Sequence, residues 1–495
     1  MLRPVRVLRG LCPGLPLALV LVAGSAALLP LARSTAGEQP AETSVTGWRG
    51  DGSGSFPVTR PPLHWSTEEG VAWSTPMPAQ SNAMPLVVGD RVITCADPHS
   101  LICVDRSTGK ILWTLTGSDE DAAGPEAWPE IAKELEQARP LQQEESQLER
   151  QLRKTRNHLR ELAESGRKTI EGKNREELQQ LVSSIEQRMA EITARLEQLP
   201  LAQKHRTLPT HTRKNGYTTA TPVSDGQHVW AVFGNAVVMC CTLEGERVWI
   251  RKMDDRPNAM FGHSASPLLA GDRLIIAIED TVALNPLTGS ELWRTRFGQS
   301  WGTAALHTVS GRQVLIHPNG RVLDLATGKQ AGRVRITLSN SSPVIAGNDV
   351  YCVDTRAARY SMSFDEDGEL NIDTVWQARL KGQKVFASPI VTGGRVFTVS
   401  SEGIFTVLDA ADGSTLISRQ LELGEGTFYP SLSLADDLLY VSSENGTTVV
   451  LNTTGDCAET ARNQVDSFIS TPVFAGDSMY LRTHASLYRI QGKTR

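Results

Sequence analysis

The sequence predicts an all-β fold, an eight-bladed β-propeller closed by an N-terminal strand, carrying an inserted antiparallel helical coiled-coil hairpin. Three observations predict it. A unit of about 42 residues recurs along most of the chain. Each unit reads as four short apolar strands separated by Gly-containing turns. A surplus of about 95 residues interrupts the first connection between units, and there the apolar spacing changes from strand-like to heptad.

The first segment lies outside the repeat. Arg3, Arg6 and Arg9 precede an apolar stretch from Leu15 to Leu31, followed by the small residues Ser34-Thr35-Ala36. This is the pattern of a secretory signal peptide over residues 1–36. An uncleaved anchor is the competing reading, since the run is long for a signal core and short for a comfortable span. Cys12 stands too early for a lipoprotein cysteine. No later apolar run is long enough to cross a bilayer, so the mature chain is expected to be exported, periplasmic or extracellular, with no membrane span. The 495 residues carry a formal charge of −5 with 40% hydrophobic and 21% charged side chains, which gives no electrostatic footprint for nucleic acid.

The repeat begins with a small-residue-Pro step. It recurs as Met84-Pro85, Thr221-Pro222, Ser266-Pro267, Ser342-Pro343, Ser388-Pro389, Tyr429-Pro430 and Thr471-Pro472, with a degenerate copy near Ala304-Ala305. After the first gap, successive starts are 45, 38, 38, 46, 41 and 42 residues apart. Four short strands per unit make a twisted sheet that cannot bury both faces alone, so the units are expected to stack around an axis as blades. The eighth unit supplies only three strands. The stretch Gly70–Met77 reads as a fourth strand with no first three, and its addition to the last blade removes the open edge. Residues 37–116 are thus read as closing strand and first blade, 117–212 as the insertion, and 213–495 as the remaining blades.

The end of each unit carries a second pattern. Cys103-Val-Asp105-Arg-Ser-Thr108-Gly109-Lys110-Ile-Leu-Trp113 has close copies at Ala283 to Trp293 and, shortened, at Leu243 to Trp249. Weaker copies at Asp324 to Lys329, Asp409 to Gly413 and Asn452 to Gly455 keep the turn without the tryptophan. The motif closely resembles the tryptophan-docking motif of the PQQ-like (pyrroloquinoline quinone-like) repeat β-propellers of exported bacterial type. Trp48-Arg49-Gly50-Asp51 resembles their N-terminal segment. The resemblance implies that Trp113, Trp249 and Trp293 are structural docking residues, flat between adjacent blades.

Within the insertion, Leu178, Val182, Ile185, Met189, Ile192, Leu196 and Leu199 form a 4-3-4-3-4-3 seam. Leu141, Glu145, Leu148, Leu152, Thr155, Leu159 and Leu162 match it with two polar positions. Pro140 is expected in the first turn of that helix, and residues 164–174 read as the loop. Two such helices make a hairpin roughly 35 Å long. It is either a decoration folded on itself or an interaction arm with a basic tip at Arg167, Lys168, Lys173 and Arg175.

Seven cysteines occur, six of them beyond the signal segment, and their spacing suggests no disulfide framework. Buried free thiols are expected. The adjacent pair Cys240 and Cys241 resembles the vicinal cysteines that quinone-dependent alcohol dehydrogenases carry beside their cofactor. Here they lead through Thr-Leu-Glu-Gly into the docking Trp249, which puts them on a third strand with side chains on opposite faces. Asp365-Glu-Asp367-Gly368-Glu369 lacks two ligands of a calcium loop and reads as a hairpin cap. His205 and His211 fit no metal spacing, and the turns near His263 and Asp477 are not nucleophile elbows.

No catalytic, cofactor-binding or metal-ligating set is therefore expected. The reading is a non-enzymatic exported scaffold with protein partners, similar in fold to the propeller lipoprotein of the outer-membrane β-barrel assembly machinery. The alternatives are a divergent quinone-dependent oxidoreductase, which alone would bring pyrroloquinoline quinone with Ca²⁺, and a ligand-binding or sensor propeller using its central funnel.

Overall fold

A computed structural model describes residues 44–492, apart from 59, 206–213, 255–260, 297 and 299. The expected signal peptide, Cys12 and His211 lie outside the described residues.

Along each inner strand the side chains alternate between two buried faces. In the second blade Val229, Ala231, Val237, Met239 and Cys241 pack against the first blade. Trp230, Val232, Val238 and Cys240 pack against the third. Burial on both sides explains why such strands read as continuous apolar runs. The same alternation around the chain yields eight antiparallel sheets, each hydrogen-bonded in sequence order. A separate apolar core fills the junctions between neighbouring blades.

Ring closure follows the sequence expectation. Val71–Pro76 pairs antiparallel with Ser486–Gln491, completing the eighth blade with Ser478–Arg482 and Val473–Ala475. A second contribution from the N-terminal region was not legible: Ser55–Phe56 adds in parallel to Ser433–Ala435 as a fifth strand of the seventh blade.

The outer strands share an irregularity. Each bulges one residue before the docking position, as between Arg247 and Trp249 or between Ala283 and Leu284 opposite Trp293. The docking ring then lies over the turn glycine of the next blade. Trp113 covers Gly245, Trp249 covers Gly289 and Trp293 covers Gly328, at distances where a Cβ on the glycine would meet the indole within 3 Å. These glycines have φ of 90°, 68° and 69°, so both space and backbone demand glycine. Each indole N–H donates to a carbonyl across the junction: Leu243 at 2.9 Å, Pro286 at 2.7 Å and Leu325 at 3.0 Å. Trp73 over Gly109 and Trp376 over Gly413 repeat the contact. At the fourth blade Gly332 stands in the docking position, and Ile372 of the fifth blade reaches into the space.

Near the axis, the repeat starts form a belt. The backbone N–H of each start residue donates to the hydroxyl of the next: Met84 to Thr221, Thr221 to Ser266, Ser266 to Thr303, Thr303 to Ser342, Ser342 to Ser388, Ser388 to Ser431 and Ser431 to Thr471, all at 2.9–3.1 Å. This corrects one sequence boundary. The seventh blade starts at Ser431, directly after Tyr429-Pro430, because the belt selects a hydroxyl and not a proline.

The segment before the first blade crosses the axis as a strap. Val45 pairs with Val87 of the first blade, and the Thr46 carbonyl accepts from Ser224 N–H of the second at 2.7 Å. Arg49 then buries its guanidinium completely, donating to the carbonyls of Pro389 at 2.8 Å and Leu432 at 3.0 Å, in the sixth and seventh blades.

The insertion is a two-helix hairpin, α1 (Asp119–Ser165) and α2 (Arg175–Leu196), followed by a short α3 (Pro200–Lys204). Leu178, Ile185, Ile192 and Leu196 of the seam are buried, as are Leu141, Thr155 and Leu162 opposite. The helix start differs from expectation. α1 begins about twenty residues before Pro140, capped by Ser118, and breaks at Gly124 with φ 75° and ψ 167°. Pro140 lies in its interior. Tertiary packing outweighs the lost hydrogen bond there: Ala138 and Leu141 on either side are buried against Ile192, Leu196 and Ala202.

Candidate functional site: the funnel and the arm

Two features offer themselves to other molecules, the funnel on the axis and the helical arm. The residue two positions before each belt residue faces the funnel: Asn82, Thr219, Ser264, Trp301, Asn340, Phe386, Tyr429 and Ile469. The cavity has a volume of about 690 Å³ and includes Trp48 of the strap. Belt hydroxyls form its waist, since Thr221, Thr303, Ser342, Ser388, Ser431 and Thr471 also line it. The walls are unequal. The fourth to eighth blades contribute Trp301, Phe386, Tyr429 and Ile469 around Asn340, whereas the first three contribute an amide and two hydroxyls.

Aromatic contacts fix the apolar arc. Phe261 meets Trp301 edge-on at 5.6 Å between centroids, and Phe386 packs on Tyr429 at 4.7 Å. Lys214 lies 5.0 Å from the Tyr429 ring centre and forms a 2.6 Å ion pair with Glu444. Burial opposes the charge on Lys214, but the Glu444 bond outweighs it and raises the ammonium above its usual value. Asp354 accepts the Ser339 and Thr355 backbone N–H groups at 2.8 and 2.7 Å. The indole N–H of Trp301 is buried and meets no acceptor among the described residues.

The cysteine pair is elsewhere. Cys240 and Cys241 lie on the third strand of the second blade, both free and fully buried, in the cores on opposite sides of the sheet. Burial pushes each thiol up to about 12, far from a reactive thiolate. Neither lines the funnel, and the carboxylate of Asp354 is already engaged by backbone. These residues do not fit a quinone held beside Ca²⁺. Among the described residues, no group of three or more His, Cys, Asp and Glu side chains could hold a metal ion. His205 instead bonds Asp119, and Asp365 to Glu369 close a hairpin turn.

The arm is anchored at its root. Asp119, at the start of α1, accepts Lys252 Nζ at 2.7 Å and pairs with His205 Nδ1 at 2.8 Å. Its other oxygen accepts from Asn235 at 3.2 Å. Burial would raise this carboxyl, yet the His205 and Lys252 bonds prevail and hold it below the usual range. Arg247 adds donations to Asp121 at 3.1 Å and to the Thr116 carbonyl at 2.8 Å. Along the hairpin, Arg188 grips Glu144 through two bonds of 2.7 and 3.0 Å, and Arg156 pairs with Glu186 at 2.7 Å.

Charge is segregated along α1 and the turn, while α2 opens with Glu176 and Glu177 beside the tip. Residues 119–149 hold ten acidic and two basic side chains, whereas residues 150–175 hold nine basic and three acidic. Arg167, Lys168, Lys173 and Arg175 are all exposed at the turn, with Arg167 bonded back to Glu161 at 3.1 Å. No helix among the described residues is long and apolar enough to cross a membrane.

Comparison with known proteins gives a family match. A family model described as outer membrane protein assembly factor BamB matches residues 60–135, 206–316 and 318–486, more than half of the chain. No curated protein sequence matches. Similar solved structures include BamB from Moraxella catarrhalis, 13% identical, covering 55% of this chain and 85% of that one with a TM-score of 0.45. The computationally designed Ika8 protein is 10% identical, covering 85% and 99% with a TM-score of 0.48. The C-terminal WD40 domain of Sif2 is 13% identical, covering 54% and 79% with a TM-score of 0.41.

Proposed function

The chain belongs to the PQQ_2 family, described as outer membrane protein assembly factor BamB, and from that premise we propose that it is an exported, periplasmic, non-enzymatic propeller acting as a protein-binding scaffold. The insertion over residues 117–212 is its grip. The observation that carries this is the arm: rooted in the second blade through Asp119, it presents the exposed side chains Arg167, Lys168, Lys173 and Arg175 at its far end. A decoration folded on itself needs neither feature. Such a tip suits an acidic protein surface, with pairing that weakens as salt screens it.

The test uses the full chain in its native host. A photo-crosslinking residue at Lys168 should capture a defined partner, and the same residue at Asp412 on the sixth blade should not. Replacing Arg167, Lys168, Lys173 and Arg175 with Glu should abolish that capture. Deletion of Leu141–Leu199 should leave a folded propeller that has lost the same partner. Unchanged co-purification after deletion removes the arm from the proposal.

A further inference from the structure

The funnel carries an inference of its own. We propose that it binds a neutral saccharide, with the sugar's C–H face against the aromatic arc and its hydroxyls toward the polar arc.

The argument begins with what the walls lack. Lys214 is held by Glu444, and Asp354 is occupied by two backbone N–H groups. Lys384 is exposed at the mouth. With Glu444 counted, the two lysines and two carboxylates at the funnel sum to zero, which favours neither an anionic nor a cationic ligand. Nor does it offer a row of backbone groups to an extended peptide. The N–H groups of seven start residues, Met84 to Ser431, are committed to the hydroxyls of the belt. What remains is side-chain chemistry.

That chemistry is divided in space. Trp301, Phe386 and Tyr429 present aromatic surface, and the ring quadrupole attracts the weakly positive C–H bonds of a pyranose face. Asn340 stands among them, with Gln383 nearby at the rim. Neither side-chain amide has a protein partner in the hydrogen bonds of the described residues, and each can donate and accept at once, as paired sugar hydroxyls require. Asn82, Thr219 and Ser264 complete the opposite wall; they donate to the carbonyls of Lys214, Asn215 and Trp301 and face a ligand as acceptors. A volume of about 690 Å³ is within the range of small-molecule sites. Phe261 and Phe386 hold Trp301 and Tyr429 in place before any ligand arrives, which lowers the ordering cost of binding.

The experiment presents the purified mature protein to a printed array of neutral and acidic oligosaccharides. The bound glycan is then titrated in solution by tryptophan fluorescence. Neutral glycans should bind, with affinity falling at least about tenfold in Trp301→Ala and in Asn340→Ala. Unchanged melting temperatures would place the loss in the site. Gln383→Ala, at an exposed position, serves as the second variant should Trp301→Ala fail to fold. Binding of no glycan, or of acidic glycans only, overturns the proposal. Neutral binding indifferent to Asn340→Ala and Gln383→Ala also overturns it.

Discussion

The backbone N–H of Arg49 donates to the sulfur of Met84 at 3.3 Å, at the one belt position that has no hydroxyl. Seven blades, the first to the seventh, close their inner edge on a Ser or Thr of the next; the eighth is followed by Met84, whose thioether instead receives the strap. A thioether is a weak acceptor, so the strap is held chiefly by its neighbouring groups, above all the Arg49 side chain. The gap in the belt and the course of the N-terminal segment are thus one feature.

Arg49→Lys tests that feature. Both bonds leave from one guanidinium nitrogen, Nη2, and a lysine loses the rigid plane that aims it. The carbonyls of Pro389 and Leu432 would lose their shared donor, with an expected cost of about 2 kcal/mol in urea unfolding. The segment before Trp65 should also become more sensitive to protease. Wild-type stability would show that the strap is passive.

Gly289→Ala should destabilise by about 2 kcal/mol, since the turn has a left-handed backbone and the new methyl meets Trp249. That methyl lies 2.8 Å from the indole, at φ 68°. Trp249→Ala should cost about 3 kcal/mol. Because the second change removes the clash of the first, the double variant should cost less than the sum. Simple additivity in calorimetry would deny that ring and turn form one contact.

The blade repeat, the closing strand and the hairpin were legible because each repeats a period: apolar strands, turn glycines or heptads. Single events were harder to see. Ser431 was missed because the eye follows proline, while the belt needs only a hydroxyl. Trp376 was missed because the long hairpin of Arg356–Phe364 and Leu370–Arg379 separates the tryptophan from its usual turn. The funnel residues do carry a signal, two positions before each belt residue. Their types differ so widely, from Asn82 to Trp301, that only the known belt reveals the register.

His263 makes stability pH-dependent. It is buried, and burial lowers its imidazole from 6.5 to about 4. The unfolded chain binds a proton at this residue in that window and the folded chain does not, so stability falls as pH drops from 6.5 toward 4. The loss should reach about 3 kcal/mol. Urea midpoints at neutral and acidic pH should differ less in His263→Gln than in the wild type. Equal differences would show that His263 titrates normally.

At the arm root, Asp119→Ala leaves Lys252 without its counter-charge, and that side chain is only 8% exposed. The expected cost is about 3 kcal/mol, read as an earlier thermal transition and as cleavage near Ser118 by limited proteolysis. The same contact should fail in acid. Its stabilisation is present above the ordinary carboxylate pKa and disappears as pH falls through the lowered one. Resistance to protease at that site in the variant would mean that the seam with α3 holds the root unaided.

The closing strand also sets a timetable. Val71–Pro76 and Ser486–Gln491 are partners separated by roughly four hundred residues. A chain made and delivered from its N-terminus presents the first long before the second exists. Until Gln491 arrives, seven blades make an arc with two sticky ends, each able to recruit a neighbouring copy. High contact order slows the final joining further. Birth, passage and folding are therefore successive stages for this ring, and its most vulnerable moment comes just before the last strand is laid down.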